Sequence, residues 1–335
     1  MNIYDIAKQS NVSIATVSRV INGSVKVSEK TRQKVLDVMQ EEGYTPNVFA
    51  RGLGLNSMKM IGILCTDVSD IFFAKAVSLV EQKLRHCGFD SLLCCTGNLL
   101  EDKKKAIGLL LDKRVDAILL IGSPFKDDVD NSYIEKAANN VPVIIINGYI
   151  EASNIYSVYC DCREAMNKNV KLLYRQGHER ILYLYDVLTF AGREKMKGYQ
   201  CALEECGLPF DQRLLVQVES DLEKVTQKVG ELVRSGLDFS AVVAPHDLIA
   251  IGAQKALQDF GETYAIIGFN NSILAKCATP ALTSVDIMLE TLCPTAVGLL
   301  VDLLGGKTVP QKSVISARLV ERETFRFASR EAQKE

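Results

Sequence analysis

The feature that most constrains the fold is an alternation of short apolar runs with longer helical stretches, which begins at Lys59. The apolar runs have the length of strands. Because parallel strands must be joined by long crossovers, the alternation favours parallel sheets covered by helices. It occurs in two sets, so we predict two doubly wound α/β halves. The predicted strands are Ile61–Leu64, Ser91–Cys95, Ala117–Ile121 and Val143–Ile146, then Ile181–Tyr185, Leu214–Val218, Ala241–Val243 and Ala265–Ile267, and the predicted helices are Ala74–His86, Lys103–Leu111 and stretches near 163–176, 194–206, 222–235 and 247–260.

The first 22 residues predict two short helices that meet at a tight turn. Ile3, Ile6 and Ala7 recur at helical spacing, and the chain then turns. Ser13 is placed to cap a second helix, from Ile14 to about Ile21. The predicted buried face of this second helix holds Val17, Val20 and Ile21.

The other faces of the second helix suit a DNA groove. Small side chains at its start allow close approach to base edges, and hydroxyl groups can hold phosphates. Arg19 can bond guanine O6 and N7 together. The outward set is Ile14, Ala15, Thr16, Ser18, Arg19 and Asn22. A third helix, capped by Ser28 and running from Glu29 to about Glu42, is predicted to pack Val35, Leu36 and Met39 against the pair.

Charge is distributed unevenly along the chain. The net charge is −2, but residues 1–59 carry eight Lys and Arg against five Asp and Glu, a net of +3, which leaves −5 for the rest. A small basic head on an acidic body fits contact with a polyanion through the head alone. Helix pairs by themselves also occur in protein-docking units, so that alternative stays open at this point.

Several classes of function lose support because their motifs are missing. No Gly-x-Gly-x-x-Gly run follows a predicted strand, and no Gly-x-Ser-x-Gly elbow occurs. Gly305-Gly306-Lys307-Thr308 comes nearest to a phosphate loop, but it lacks the upstream glycine and the preceding strand, so we expect a turn that ends a helix. We therefore predict that the chain is not an enzyme. The ten cysteines are predicted to be free, buried thiols, and neither a metal nor another cofactor is expected.

Targeting signals are also missing from the sequence. The longest apolar runs fall far short of the roughly 20 residues that cross a bilayer. The first residues lack the basic region, apolar run and cleavage site of a secretory signal. We therefore expect a cytoplasmic protein with no membrane contact.

The head resembles the LacI/GalR family of transcriptional regulators. The matching positions are Tyr4–Ala7, Val12–Gly23, Val27, Ser28, Thr31, Arg32, Val35, Gly43, Tyr44, Pro46, Asn47, Ala50, Arg51 and Leu53. The resemblance implies that Tyr4 and Ser13 join the outward set at DNA. It also implies a hinge helix in which Asn47 and Ala50 contact DNA and Leu53 wedges into the minor groove of a palindromic operator. Since one helix-turn-helix covers a half-site, a homodimer is predicted.

The rest of the chain resembles the periplasmic-binding-protein-like fold that this family joins to its head. The predicted fold class is therefore an all-α helix-turn-helix head plus an α/β body of two parallel-sheet subdomains. The predicted domains are a DNA-binding domain at 1–46, a hinge at 47–58, and an effector-binding and dimerisation domain at 59–335. Within the last, an N-subdomain is expected at about 59–160 plus 291–320, and a C-subdomain at about 161–290 plus 321–330.

The resemblance also implies an effector pocket in the cleft between the subdomains, beyond the carboxyl ends of strands. The positions carried over are Asp67, Phe72, Phe73, Asp161, Arg193, Lys195, Ser220, His246 and Asn270. Lys195 stands where the family often has Arg, His246 where Asn or Gly is frequent, and Asn270 where Asp is frequent. More donors and fewer acceptors favour an anionic or phosphorylated small molecule. A neutral sugar or a nucleoside remains open.

We therefore predict an effector-controlled repressor of carbohydrate or related catabolic genes. The resemblance leaves a catabolite control protein, a global regulator with a phosphoprotein corepressor, as an alternative. Leu300 and Leu304 stand where that group has basic residues, and apolar side chains cannot grip a phosphoserine. A solute-binding protein would need an export signal, and an enzyme would need a nucleophile or metal constellation.

Overall fold

The computed structural model describes residues 2–21, 24–44, 57–127, 130–258, 260 and 264–325. The DNA-face residue Asn22 and the hinge positions Asn47, Ala50 and Leu53 lie outside these ranges. Within them the chain forms a helical head and an α/β body. No helix in these ranges has the combination of length and apolar character that a membrane span requires.

The described part of the head contains three helices, α1 (Ile3–Gln9), α2 (Ile14–Ile21) and α3 (Glu29–Glu41). Asn2 caps α1, since its side-chain oxygen accepts from the Tyr4 amide at 2.9 Å and the Asp5 amide at 3.2 Å. The Asp5 carboxylate accepts in return from the Asn2 amide at 2.9 Å, which completes a capping box. The observed bounds of α2 confirm the sequence prediction.

The head core contains apolar side chains from all three helices. Ile6, Val17 and Val35 are fully buried and lie in one cluster. The prediction for α3 was wrong at Leu36, which is 40% exposed, whereas Val38 packs against the cluster. The reason is geometric, because positions three residues apart share a helix face and adjacent positions diverge by about 100°.

The first body sheet has the strand order β11-β5-β4-β3-β1-β2 among the described residues, and all its neighbours pair in parallel. Its strands are β1 (Met60–Cys65), β2 (Asp90–Cys95), β3 (Ala117–Ile121), β4 (Val143–Ile146), β5 (Ile155–Cys160) and β11 (Lys312–Ile315). Its helices are α4 (Ile71–His86), α5 (Leu100–Asp112), α6 (Ser132–Ala138) and α12 (Leu289–Leu304). Helices α4 and α12 cover one face, and α5 and α6 cover the other.

The second sheet has the order β12-β10-β9-β8-β6-β7 in the described chain. Its strands are β6 (Ile181–Tyr185), β7 (Leu215–Gln217), β8 (Ala241–Val243), β9 (Ala265–Phe269), β10 (Thr283–Asp286) and β12 (Arg318–Val320). Its helices are α7 (Cys162–Arg175), α8 (Phe190–Glu205), α9 (Leu222–Arg234), α10 (Asp247–Gln258) and α11 (Ile273–Cys277). Two doubly wound sheets are thus confirmed.

The last crossing between the sheets differs from the predicted subdomain boundary. Strand β12 pairs antiparallel with β10, so that Val320 lies opposite Ser284. Residues 318–320 therefore belong to the second sheet, although the sequence prediction placed them with the first. The chain crosses between the sheets at 316–317, directly after β11.

Helices α7 and α8 approach each other closely at Gly198. A Cβ atom built at Gly198 would lie 2.2 Å from the Arg163 carbonyl oxygen and 3.0 Å from Met166 Cβ. The next residue, Tyr199, is buried and donates its hydroxyl to the Ile181 carbonyl at 2.9 Å. The glycine thus lets α8 lie flat against α7 and the second sheet.

The cysteines only partly match the prediction of buried thiols. All ten lie within the described ranges and are free. Cys95 and Cys277 are nevertheless exposed. Cys95 is exposed because β2 lies at the edge of its sheet, where Cys95 stands opposite the buried Cys65.

Candidate nucleic-acid interface and ligand cleft

Helix α2 presents an outward surface opposite its buried residues. Val17 is fully buried, whereas Ile14 is 43% exposed and Ala15 and Arg19 are exposed. Tyr4, on α1, is 65% exposed. Thr16 and Ser18 are partly buried. The structure therefore leaves the predicted base-reading side chains of α2 accessible to a partner.

The start of α2 is organised by hydroxyl groups. Ser13 Oγ accepts from the Thr16 amide at 3.1 Å and lies 2.9 Å from Thr16 Oγ1. The first amides of a helix lack acceptors within the helix, and its N-terminus carries partial positive charge. The N-terminus of α2 thus offers N–H donors and hydroxyls that suit a phosphate.

The predicted ligand residues of the body cluster at the carboxyl ends of strands in both sheets. Asp67 follows β1, Asp161 follows β5, and His246 follows β8 directly or within a few residues. Ser220 and Asn270 follow β7 and β9 in the same way. Side chains after parallel strands meet at one edge of a sheet, where open α/β folds bind ligands.

On the first sheet, the predicted residues form a rim around the start of α4. Asp67 accepts from the Ser69 amide and hydroxyl, both at 2.8 Å, and these bonds lower the pKa of its carboxyl. Asp70 caps α4 by accepting from the amides of Phe72 and Phe73. The two phenylalanine rings pack edge to face, with centroids 5.1 Å apart. This rim combines one ionised carboxylate with an aromatic surface.

On the second sheet, Lys195 lies at the centre of the predicted residues. Its side chain is buried, and Nζ donates to the Pro245 carbonyl at 2.6 Å. The same ammonium lies 4.2 Å from the centroid of the Phe269 ring. A cation over an aromatic face is stabilised by the ring quadrupole. Lys195 therefore joins the ends of β8 and β9, next to His246 and Asn270.

His246 joins two further polar groups in this cluster. Its Nε2 lies 3.2 Å from Asp186 Oδ2 and 3.2 Å from Ser220 Oγ. Burial would raise the pKa of the Asp186 carboxyl, but the hydrogen bond and charge of His246 outweigh it and lower that pKa. Sequence analysis missed Asp186, although its place directly after the predicted strand Ile181–Tyr185 could have indicated it.

The trio of Ser220, His246 and Asp186 has the composition of a catalytic triad but not its geometry. Both partners contact the same ring nitrogen, Nε2. A triad needs the hydroxyl and the carboxylate on different ring nitrogens, because one nitrogen accepts the nucleophile's proton while the other donates to the carboxylate. The trio therefore lacks the geometry by which a triad activates its serine.

Asp247 supports this cluster from below. It is only 2% exposed and accepts from the Ser272 amide at 2.6 Å and from the Ser284 hydroxyl. Burial raises the pKa of its carboxyl, although the hydrogen bonds act in the opposite direction. Asp247 thereby fixes the turn after β9, which carries Asn270, against the start of α10.

Asp161 and Arg193 have local partners. Asp161 caps α7 by accepting from the Glu164 amide at 3.0 Å, and it lines a cavity on the flank of the cleft. Arg193 donates from its guanidinium to the Leu188 carbonyl. These two contacts are with backbone groups near in sequence, on α7 and before α8.

A hydrogen bond crosses the cleft. Ser123 Oγ, beyond the end of β3, donates to Thr189 Oγ1 at 2.9 Å. Thr189 also caps α8 by accepting from the Gly192 amide at 3.3 Å. Sequence analysis missed this contact, because it placed the start of the helix at residue 194 rather than at Phe190.

Two further observations bear on alternative sites. Leu300, a predicted docking position of a phosphoprotein corepressor, is fully buried under the first sheet and Leu304 is partly buried, so Leu300 presents no surface to a partner. Among the described residues, no group of three or more His, Cys, Asp or Glu side chains is placed to hold a metal ion.

Known proteins share both parts of this architecture. The profile described as "Bacterial regulatory proteins, lacI family" matches residues 2–47. The profile described as "Periplasmic binding proteins and sugar binding domain of LacI family" matches residues 58–310. An HTH-type transcriptional regulator of Lachnoclostridium phytofermentans is 50% identical over 333 residues, which cover 98% of this chain and 100% of that protein.

Solved structures agree with the sequence comparisons. The lac repressor dimer bound to operator and the anti-inducer ONPF superposes with a TM-score of 0.87 at 25% identity, covering 97% of this chain and 98% of that one. The complex of the transcriptional regulator CelR with cellobiose has a TM-score of 0.71 at 27% identity, covering 97% of this chain and 99% of that one. The similarity therefore spans the head and the body together.

Proposed function

Because the chain belongs to the LacI family of bacterial regulatory proteins, we propose that it acts as a homodimeric repressor of carbohydrate or related catabolic genes. The observation that carries this proposal is the outward face of α2, where Ile14, Ala15 and Arg19 are exposed beside a buried Val17. An exposed reading surface on a rigid helix is what a DNA major groove requires.

We propose that Tyr4, Ser13, Thr16 and Ser18 position the head on phosphates, while Arg19 selects guanine. Asn22, Asn47, Ala50 and Leu53 complete the proposed interface by family resemblance. By the same resemblance we propose that Leu53 opens the central base step of the operator.

The body supplies the control of DNA binding. The proposed effector site combines the rim at Asp67, Phe72 and Phe73, at strand ends of the first sheet, with the cluster of Lys195 and His246, at strand ends of the second. A ligand that binds one relative rotation of the halves better than the other shifts the population toward that rotation. The separation of the paired hinges, and with it operator affinity, would change accordingly.

We propose a neutral polyhydroxylated effector rather than an anionic one. Lys195 donates to a carbonyl, Arg193 donates to another, and His246 lies beside the Asp186 carboxylate. The donors that favoured an anion therefore already have acceptors in the protein. Calorimetric titration with glucose and glucose 6-phosphate, a neutral and an anionic form of one sugar, tests the class. Binding of the phosphorylated sugar alone would overturn it.

The proposed domain limits are those expected from the sequence, and the pairing of β12 supports one change within the body. We propose a DNA-binding domain at 1–46, a hinge at 47–58 and a body from 59, with 318–320 moved to the second subdomain. We also propose a non-catalytic protein, supported by the arrangement at His246 Nε2, and a cytoplasmic location, where bacterial operators are found. No observation favours the phosphoprotein-corepressor alternative, because Leu300 is buried.

Operator selection from random duplexes with the purified full-length chain tests the main proposal. We expect the selected duplexes to share a pseudo-palindrome. In the Arg19→Ala variant the binding free energy should be weaker by about 1–3 kcal/mol for each guanine that Arg19 bonds. Arg175→Ala makes the same change on an exposed body helix and should bind like the wild type. Selected duplexes that share no palindrome, and whose binding is lost as the salt concentration rises, would refute sequence-specific regulation.

A further inference from the structure

Two thiols face each other at the carboxyl ends of β1 and β2. Cys65 is the last residue of β1 and Cys95 is the last residue of β2, and the register of the parallel pair sets them side by side. Their Sγ atoms lie 4.0 Å apart. We call these two residues the thiol pair. It lies next to the rim of the first sheet, since Asp67 follows Cys65 by two residues.

The backbone at the thiol pair already has the separation that a disulfide needs. Neighbouring strands of a sheet lie about 4.7–4.9 Å apart, and the Cα atoms of a disulfide usually lie about 4.4–6.8 Å apart. An S–S bond is about 2.05 Å long, so the two sulfur atoms of the pair must approach each other by about 2 Å. Side-chain rotation between staggered positions moves a sulfur atom that far. The bond can therefore form without a change in strand pairing.

The two thiols differ in the way that a reactive cysteine and its resolving partner differ. Cys95 is exposed at the edge of the sheet, whereas Cys65 is fully buried in the core under α4. Burial raises the pKa of the Cys65 thiol, and the nearby Cys95 raises it further, so Cys65 stays protonated at neutral pH. An oxidant in solution therefore meets Cys95 first, with Cys65 next to it to complete the reaction.

Cys94, the residue before Cys95, lies on the other face of the sheet. Successive side chains of a strand point to opposite faces. Cys94 accordingly packs against the cluster that contains Leu64, whereas Cys65 belongs to the cluster under α4. Position in the sheet thus selects Cys95 rather than Cys94 as the partner of Cys65.

From this arrangement we propose that Cys65 and Cys95 form a reversible disulfide when the protein meets a hydroperoxide. The Cys95 sulfur loses its proton and attacks a peroxide oxygen, the O–O bond breaks, and a sulfenic acid forms. With hydrogen peroxide, the other oxygen leaves with that proton as water. The Cys65 thiol then attacks the sulfenic sulfur, so that the S–S bond forms, the S–O bond breaks, and hydroxide leaves with the Cys65 proton as a second water. The two sulfur atoms lose two electrons in total, and the peroxide gains them.

The disulfide acts on residues 66–70, which join β1 to α4 and form part of the rim. Two backbone hydrogen bonds already hold this segment to the end of β2. The Thr96 amide donates to the Cys65 carbonyl at 3.0 Å, and the Gly97 amide donates to the Thr66 carbonyl at 2.9 Å. A covalent link beside these bonds makes local opening of residues 66–70 rarer. Oxidation therefore stiffens one side of the cleft, and a thiol reductant reverses the change.

The test starts from the reduced full-length chain, which is treated with hydrogen peroxide, alkylated with N-ethylmaleimide and digested with trypsin without reductant. Cys65 lies in the tryptic peptide 60–75 and Cys95 in the peptide 86–103. We expect mass spectrometry to find these peptides joined and lighter by two hydrogen atoms than their sum. Fragment ions should place the bond between Cys65 and Cys95, and dithiothreitol should separate the peptides.

Serine variants identify the two sulfur atoms. Cys95→Ser should abolish the joined peptide, and so should Cys65→Ser. Cys94→Ser is the matched control, because it removes the adjacent thiol on the opposite face and should leave the yield of joined peptide at the wild-type level. Cys95→Ser changes an exposed residue, so it carries the test even if Cys65→Ser, in the core, does not fold. Deuterium exchange at residues 66–70 should slow at least about threefold on oxidation of the wild type, but not of Cys95→Ser.

Several outcomes would overturn the proposal. They are a bond from Cys65 to Cys94 or Cys87, a bond between the Cys95 residues of two copies of the chain, and sulfinic acid at Cys95 without a joined peptide. Unchanged exchange at residues 66–70 in the oxidised protein would overturn the action on the rim. These measurements use neither DNA nor a sugar, so such results would leave the proposed repressor function standing.

Discussion

Replacement of Gly198 by alanine tests how closely α7 and α8 must approach. A Cβ at this position would lie 2.2 Å from the Arg163 carbonyl oxygen, far inside van der Waals contact. The neighbour is backbone, so no side-chain rotation can relieve the clash. Overpacking of this kind costs about 1–3 kcal/mol. Alanine in a helix interior gains about 1 kcal/mol over glycine, so the net change is a loss of up to about 2 kcal/mol.

Gly108→Ala is the matched control. Gly108 lies within α5, is exposed, and a Cβ there would have no neighbour within 4 Å. It therefore gains the helix propensity of alanine without the clash, and we expect it to stabilise the protein by about 1 kcal/mol. The difference between the two variants isolates the steric cost.

Urea unfolding followed by far-UV circular dichroism, at one protein concentration, measures both variants. A shift of α8 also displaces Lys195, which lies just under one turn before Gly198, so Gly198→Ala should weaken effector binding as well. If Gly198→Ala proved as stable as Gly108→Ala, the inferred contact between the two helices would be wrong.

Three further predictions concern the cleft and the head. Ser123→Ala removes the hydroxyl that donates to Thr189 across the cleft. Since one hydrogen bond contributes about 0.5–1.5 kcal/mol, the rate of amide exchange at residues 186–192 should rise up to about tenfold in deuterium-exchange mass spectrometry. An unchanged exchange rate would argue against the cross-cleft bond. Asp186→Asn should reduce the loss of stability on acidification. The pKa of the Asp186 carboxyl is lowered in the folded protein, so its ionised form stabilises the fold above the unfolded-state pKa of about 4, and this stability is lost as the pH falls below that value. If the melting temperature of the variant fell as steeply as that of the wild type between pH 5 and pH 3, the bond to His246 would be contradicted. Ser28→Ala should destabilise the head by about 1 kcal/mol in thermal unfolding, since Ser28 caps α3. Ser28→Asp should retain the cap. Equal melting temperatures of the two variants would refute the stabilising role of the cap.

The sequence was most informative where structure is local. The bounds of α2, β3, β4, β6 and β8 equal those predicted, because caps and apolar periodicity act within a few residues. It was least informative for short elements such as β12, whose three residues carry too little pattern. The partner of β12, β10, lies more than 30 residues earlier, so only tertiary pairing placed it.

The residues of the candidate site show the same difference between local sequence patterns and tertiary contacts. The resemblance in sequence marked Lys195, His246 and the face of α2, because each follows from one residue type at one place in a motif. Only the tertiary structure joined His246 to Asp186, 60 residues away, and Ser123 to Thr189, 66 residues away. It likewise brought Tyr149, Tyr159 and Phe190 together around one cavity. The sequence by itself indicated the family, most helices and eight of the twelve strands in the described ranges, but not β5, β10, β11 or β12. The contacts of the proposed effector site depend on folding, since they join groups that no local pattern relates.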